Sequence, residues 1–116
     1  MNLYHYKAVI SSVYDGDTVT ADIDLGFYMI QRKVKIRLYG INTPELRGGT
    51  EETRKAGYTA RDFLRERVLK QEVVLKCWGK GKYGRWLCEI FVQDGEELVS
   101  VNETLVNKGL AERYLV

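Results

Sequence analysis

The spacing of hydrophobic positions switches along the chain from a strand period to a helical one and back. From Tyr6 to Val13 the residues are apolar and β-branched enough for a first strand, closed by the turn signal Asp15-Gly16-Asp17. Val19, Ala21, Ile23 and Leu25 then alternate with Thr20, Asp22 and Asp24, the pattern of a half-buried strand, until Gly26 breaks it. A third strand puts Val34, Ile36 and Leu38 on one face and Lys35, Arg37 and Tyr39 on the other. Gly40 to Gly49 reads as a loop carrying Pro44.

The period then becomes helical. Ala56, Ala60, Phe63, Leu64 and Val68 fall on one face, opposite Arg61, Asp62, Arg65 and Glu66, with Thr53 as the expected N-cap. Val73, Leu75 and Cys77, then Trp86, Cys88, Ile90 and Val92, predict a strand pair joined through Gly79, Gly81 and Gly84. Asp94-Gly95 is a further turn. Ser100-Val101-Asn102-Glu103 reads as a capping box opening a short helix through Leu105 and Val106, with Gly109 at C′. This order predicts an α+β, mainly β fold: a five-stranded Greek-key barrel of the OB type with two packed helices, one domain over residues 1–116.

Composition agrees with a compact chain. The 116 residues are 45% apolar with one proline, enough for a core and unlike a disordered segment. No apolar stretch reaches the roughly 18–20 residues needed to cross a membrane. Met1 to Lys7 contains no signal-peptide apolar region. The expectation is a cytoplasmic protein by default, or a secreted one if this is a mature form, with no membrane association. Two cysteines are too few for a disulfide framework. Cys77 and Cys88 lie symmetrically about Lys82-Tyr83, so a hairpin there would set them face to face, either as a disulfide or as two small buried thiols.

A net charge of +2 does not by itself announce a nucleic-acid partner. The distribution says more, because Lys76, Lys80, Lys82 and Arg85 lie in one run without an acid. Four segments carry candidate chemistry. Asp17 offers a carboxylate on a tight turn, the type of ligand a hard cation takes. Arg37, on the polar face of its strand, has the planar fork that grips a phosphate. Glu45, on a loop stiffened by Pro44, is placed to orient or deprotonate water. In Lys82-Tyr83-Gly84-Arg85 a ring that stacks on a base sits among cations that meet phosphates. Taken singly, each segment also reads as an ordinary turn, strand or loop.

Their joint order is specific. Asp15-Gly16-Asp17-Thr18, Ile36-Arg37-Leu38, Asn42-Thr43-Pro44-Glu45, Lys82-Tyr83-Gly84-Arg85 and Val101-Asn102-Glu103-Thr104-Leu105-Val106-Asn107-Lys108-Gly109-Leu110-Ala111 together resemble the staphylococcal nuclease (thermonuclease) family, from about Val9 to Tyr114. The resemblance implies calcium-dependent cleavage of DNA or RNA that leaves 3′-phosphate ends. It implies that Asp17, Asn42 and the Thr43 carbonyl hold one Ca2+, that Arg37 and Arg85 bind the phosphate, and that Glu45 handles the attacking water. Lys82, Tyr83 and Tyr114 become the substrate-binding residues. The implied partner is single-stranded DNA or RNA, and the expected state is a monomer without an obligate protein partner.

Three features depart from the family pattern. Asn42 stands where a second calcium carboxylate is found, so one negative charge is missing and weaker metal binding is expected. The chain ends at Tyr114-Leu115-Val116, before the family's last long helix. The Asp17-to-Arg37 hairpin is longer, and the Glu45-to-Arg85 interval shorter, than in the best-known member. Asn42 keeps a second expectation open, an OB-fold module that binds single strands with weakened or absent catalysis. The presence of Asp17, Arg37, Glu45 and Arg85 together favours the enzyme.

Overall fold

The computed structural model describes residues 5–81 and 83–114. Its elements run β1 (His5–Asp15), β2 (Thr18–Gly26), β3 (Met29–Leu38), β4 (Ile41–Asn42), α1 (Glu51–Val68), β5 (Glu72–Lys80), β6 (Trp86–Asp94), β7 (Glu97–Ser100), α2 (Val101–Asn107) and β8 (Glu112–Arg113). The main sheet has the order β3-β2-β1-β5-β6-β7. A parallel pairing of Ile36–Leu38 with Trp86–Cys88 joins β3 to β6 and closes a five-stranded mixed barrel of the OB type. The two helices pack on it.

Alternation fills the barrel. Ile10, Val19, Ala21, Ile36, Leu38, Leu75, Cys88 and Ile90 point inward and are buried, while α1 adds Leu64 and Val68 and α2 adds Val101 and Leu105. Each valine, leucine or isoleucine among them contributes about 1.5–3 kcal/mol when removed from water. A buried asparagine locks the closing seam. The Asn102 Oδ1 accepts from the Ile90 N–H at 3.1 Å, and its Nδ2 donates to the carbonyls of Tyr39 at 2.9 Å and Cys88 at 3.4 Å. It thereby ties α2 to β6 and to the end of β3.

The structure corrects several local expectations. Helix α1 starts three residues earlier than expected: Thr50 is the N-cap, and Thr53 is the N3 residue that completes a reciprocal capping box with it. Ala56 is exposed, and the neighbouring Gly57 takes the buried position. The loop after Gly40 contains β4, which pairs with β8 through Ile41–Arg113 and Asn42–Glu112. Strand β3 begins at Met29, well before Val34. Ser100 caps α2 by accepting from the Glu103 N–H at 3.2 Å, but the Glu103 carboxylate turns to Arg113 instead of completing the box.

Cys77 and Cys88 do pair across the β5–β6 hairpin. They are free thiols, with sulfurs 2.8 Å apart. The contact between them pulls the Cys77 thiol down, while that contact and burial push Cys88 up. Among the described residues no helix is long and apolar enough to cross a membrane.

Candidate active site

The site begins at the β1–β2 turn. Gly16 is the only residue that fits there, because a Cβ would lie 2.8 Å from both the Ala60 Cβ and the Thr43 Cγ2. The turn is therefore pressed between α1 and the strand-end carrying Thr43. Its conformation is held by the Asp17 N–H, which donates to Asp15 Oδ1 at 3.0 Å. Burial, and then the neighbouring Asp17 carboxylate, push the Asp15 carboxyl up to about 6.

Asp17 is 7% exposed and fully engaged. Its Oδ2 accepts from the Thr43 N–H at 3.1 Å and lies 3.4 Å from Arg37 Nη1. Its Oδ1 accepts from the Thr18 hydroxyl at 3.2 Å. Its main-chain carbonyl accepts from the Leu38 N–H at 2.8 Å. A buried carboxylate needs such partners, since unpaired it would lose several kcal/mol of hydration.

Strand register brings the arginine to it. Thr18 pairs with Arg37 across β2 and β3. Arg37 Nη1 also donates to the Leu38 carbonyl at 3.0 Å, and Nη2 donates to the Asn42 amide oxygen at 3.3 Å. Arg85, just before β6, donates from Nη1 to the Thr18 hydroxyl at 3.2 Å. Thr18 thus links Arg85 to Asp17, and Arg37 links Asp17 to Asn42. Two guanidinium groups, one carboxylate, one hydroxyl and one amide from four segments form one chain of hydrogen bonds closed by an ion pair.

Glu45 lies two residues beyond Thr43, and its side chain is exposed to solvent. Its backbone rests on α1, where a Cβ on Gly57 would meet the Pro44 carbonyl oxygen at 2.7 Å and that of Glu45 at 2.9 Å. Tyr83 is exposed, with the Arg85 guanidinium carbon 5.7 Å from its ring centre. Lys82 lies outside the described residues. The Tyr114 N–H donates to the Gly40 carbonyl at 2.9 Å, which anchors this exposed tyrosine beside the turn into β4.

The family profile of staphylococcal nuclease homologues matches residues 35–116. This chain belongs to that family. It is 32% identical to the thermonuclease of Staphylococcus hyicus over 91% of its own length and 57% of the relative's. It is 32% identical to an uncharacterized protein of Methanocaldococcus jannaschii over 96% of this chain and 60% of that one. An uncharacterized endonuclease of Escherichia coli O157:H7 is 30% identical over 88% of this chain and 57% of its own length. The chain therefore spans somewhat more than half the length of these relatives.

Family membership carries the expectation of a divalent ion, and the donor chemistry can be tested against it. Among the described residues no three His, Cys, Asp or Glu side chains gather into a metal cluster. Asp17, Asn42 and the Thr43 carbonyl offer oxygen only, with a single formal charge. The Thr43 hydroxyl is buried without a hydrogen-bond partner, next to the Asp17 carboxylate that its own N–H contacts. An oxygen-only set with an unsatisfied oxygen beside it fits a hard, loosely coordinated cation better than a transition metal.

Thr18, Gly16 and Gly57 carry roles that composition and spacing did not suggest. Thr18 has the hydroxyl through which Arg85 reaches Asp17, and the glycines leave room for the turn and loop. The only sequence signal for Gly16 is its place between two aspartates. Gly57 has none, because a helix-interior glycine ordinarily costs stability.

Proposed function

We propose that the protein is a metal-dependent nuclease that hydrolyses phosphodiester bonds in DNA or RNA. The observation that carries this reading is the convergence of Arg37 and Arg85 on Asp17, one directly and one through Thr18. Two forked cations held beside one carboxylate match a phosphate flanked by a divalent ion.

In this reading Arg37 and Arg85 hold the scissile phosphate and stabilise the charge that builds on its oxygens as water attacks. Glu45 orients that water and accepts its proton, a contribution of typically about 10²–10⁴-fold. The bond to the 5′-oxygen breaks, and the product keeps a 3′-phosphate. Asp17, Asn42 and the Thr43 carbonyl hold Ca2+, which when bound supplies further positive charge at the phosphate. Lys82, Tyr83 and Tyr114 contact the nucleotide.

A second reading, binding without hydrolysis, draws on Asn42. Its amide brings no charge to the cation and is already hydrogen-bonded to Arg37. One experiment separates the two. Single-stranded DNA and RNA are incubated with calcium across a wide concentration range, or with chelator, and the ends of any product are determined. Calcium-dependent cleavage with 3′-phosphate ends is expected. Binding with no cleavage at any calcium level leaves the binding module. Products with 5′-phosphate ends contradict the assigned bond. Arg85→Ala abolishes turnover while costing little stability, because this arginine supports no part of the core.

A further inference from the structure

A cup of about 760 Å³ opens at the barrel mouth between the β2–β3 and β5–β6 hairpins. Its floor is apolar, with Ile23, Val34 and Cys77. Trp78 and Trp86 stand in its wall, and Arg32, Lys33 and Lys35 rim it on the β3 side. No acid lines it. The pattern of apolar floor, indole wall and cationic rim is not explained by the core. Trp78 and Trp86 remain 44% and 41% exposed, although large rings are ordinarily placed where they bury more.

The available faces and charges are specific. One face of Trp78 is stacked on Tyr39, with centroids 4.3 Å apart and an interplanar angle of 8°. Among the described residues Trp86 has no such aromatic partner, and the Lys80 ammonium lies 5.9 Å from its ring centre. Arg32 is partly neutralised by Asp22 at 3.4 Å. Among the described residues Lys33 and Lys35 are in no ion pair. The cup borders the segments that carry the candidate active site. Gly84, next to Arg85, lines it, and Lys35 lies two residues before Arg37 on the same face of β3.

We infer that this cup is a second subsite for single-stranded nucleic acid, holding an unpaired base beyond the scissile position. The base stacks on Trp86 and enters the cup, while Lys33 and Lys35 meet the flanking phosphates. This rests on the reading of the adjacent site as one that acts on a nucleic-acid backbone. Charge complementarity favours a polyanion, and the ring-walled cup favours one with flat unpaired bases over an acidic polypeptide or a duplex. The substrate is then a strand several nucleotides long, and affinity rises with length past the dinucleotide.

The test uses a convenient property of the chain: Trp78 and Trp86 are its only tryptophans. The intact protein is titrated, with chelator present, with a twelve-nucleotide oligothymidylate, the matching duplex and polyglutamate, and tryptophan emission is followed. The single strand is expected to quench emission strongly and to bind at least tenfold more tightly than the other two. Trp86→Ala weakens its binding about tenfold and Trp86→Phe restores most of it, as stacking predicts. Lys33→Glu with Lys35→Glu, both on the surface, weakens binding at least as much and flattens its salt dependence. Unchanged emission and unchanged affinity in the lysine double variant overturn the inference, as does equal binding of duplex or polyglutamate. The two readings fail separately. A protein that quenches as expected yet cuts nothing keeps the cup and loses the nuclease. One that cleaves a dinucleotide and a long strand with the same KM, its tryptophans unaffected, keeps the nuclease and loses the cup.

Discussion

Arg37 donates to the amide oxygen of Asn42 at 3.3 Å, across the short connection between β3 and β4. The same guanidinium lies 3.4 Å from Asp17. One cation therefore bridges two proposed ligands of another cation, and only one of those ligands is charged. Replacing Asn42 by Asp supplies the missing charge with nearly the same shape. Part of it is taken up by Arg37 and the rest is available to calcium. Asn42→Asp is expected to lower the calcium concentration for half-maximal cleavage by about tenfold. Calcium titrations of the two proteins check this, and an unchanged midpoint removes Asn42 from the metal site.

Gly57 sets the position of Glu45 from a different element. A methyl group there would lie 2.7 Å from one backbone oxygen and 2.9 Å from the next, and neither is a flexible side-chain end. The loop must move. Alanine improves helix propensity by about 1 kcal/mol, whereas overpacking costs typically about 1–3 kcal/mol. Gly57→Ala is expected to be net destabilising by about 1 kcal/mol, read by urea denaturation. Because a displacement of about 1 Å can cost about 10²-fold, kcat falls by tenfold or more. A variant as stable and as active as the parent would show that the loop does not rest on this helix.

Much of this arrangement is legible in the sequence, for identifiable reasons. The inward alternation of Val19, Ala21 and Ile23 and of Ile36 and Leu38 is a local pattern, so the strands could be read directly. The pairing of Ile36 with Trp86 that closes the barrel joins residues far apart in the chain, and no local period encodes it. The start of α1 is ambiguous in the sequence because Thr50 and Thr53 are both good caps, and only their reciprocal hydrogen bonds distinguish them. Strand β4 was hidden because its partner lies at the far end of the chain. The proposed roles of Asp17, Arg37 and Arg85 were suggested by motif order, but Thr18 was not singled out, since a linking hydroxyl has no distinctive spacing.

The β2–β3 hairpin carries an unusual turn. Phe27 and Tyr28 are its two central residues, at φ 52° and 60°, and both are almost wholly exposed. Two positive φ values match the tight turn that favours Asn-Gly, which explains why these aromatics gave no turn signal. The left-handed region costs a non-glycine residue about 1–2 kcal/mol, and exposed rings recover little of it. Replacing Phe27-Tyr28 with Asn-Gly is expected to stabilise the protein by about 1–2 kcal/mol, after allowing for the entropy of glycine. Urea midpoints of the two proteins measure it. A loss of stability would mean that the rings pack against the protein.

The pairing of β8 with β4 places Glu112 opposite Asn42, and the adjacent Arg113 is clamped to α2. Arg113 donates to both Glu103 oxygens, at 3.0 and 2.7 Å. This contact holds the Glu103 carboxyl below its usual range. The folded protein therefore gives up that proton more readily than the unfolded chain. The resulting stabilisation is present above about pH 4.3, the ordinary glutamate value, and is lost as pH falls through the lowered one. Both partners are well exposed, so the effect is modest and is screened by salt. Arg113→Gln is expected to be less stable than the parent at pH 7 and low salt, with the gap narrowing toward pH 3 and again in concentrated salt. Denaturation midpoints at the two pH values decide it. A gap that ignores both pH and salt would mean that Arg113 supports β8 through its aliphatic stem instead of its charge.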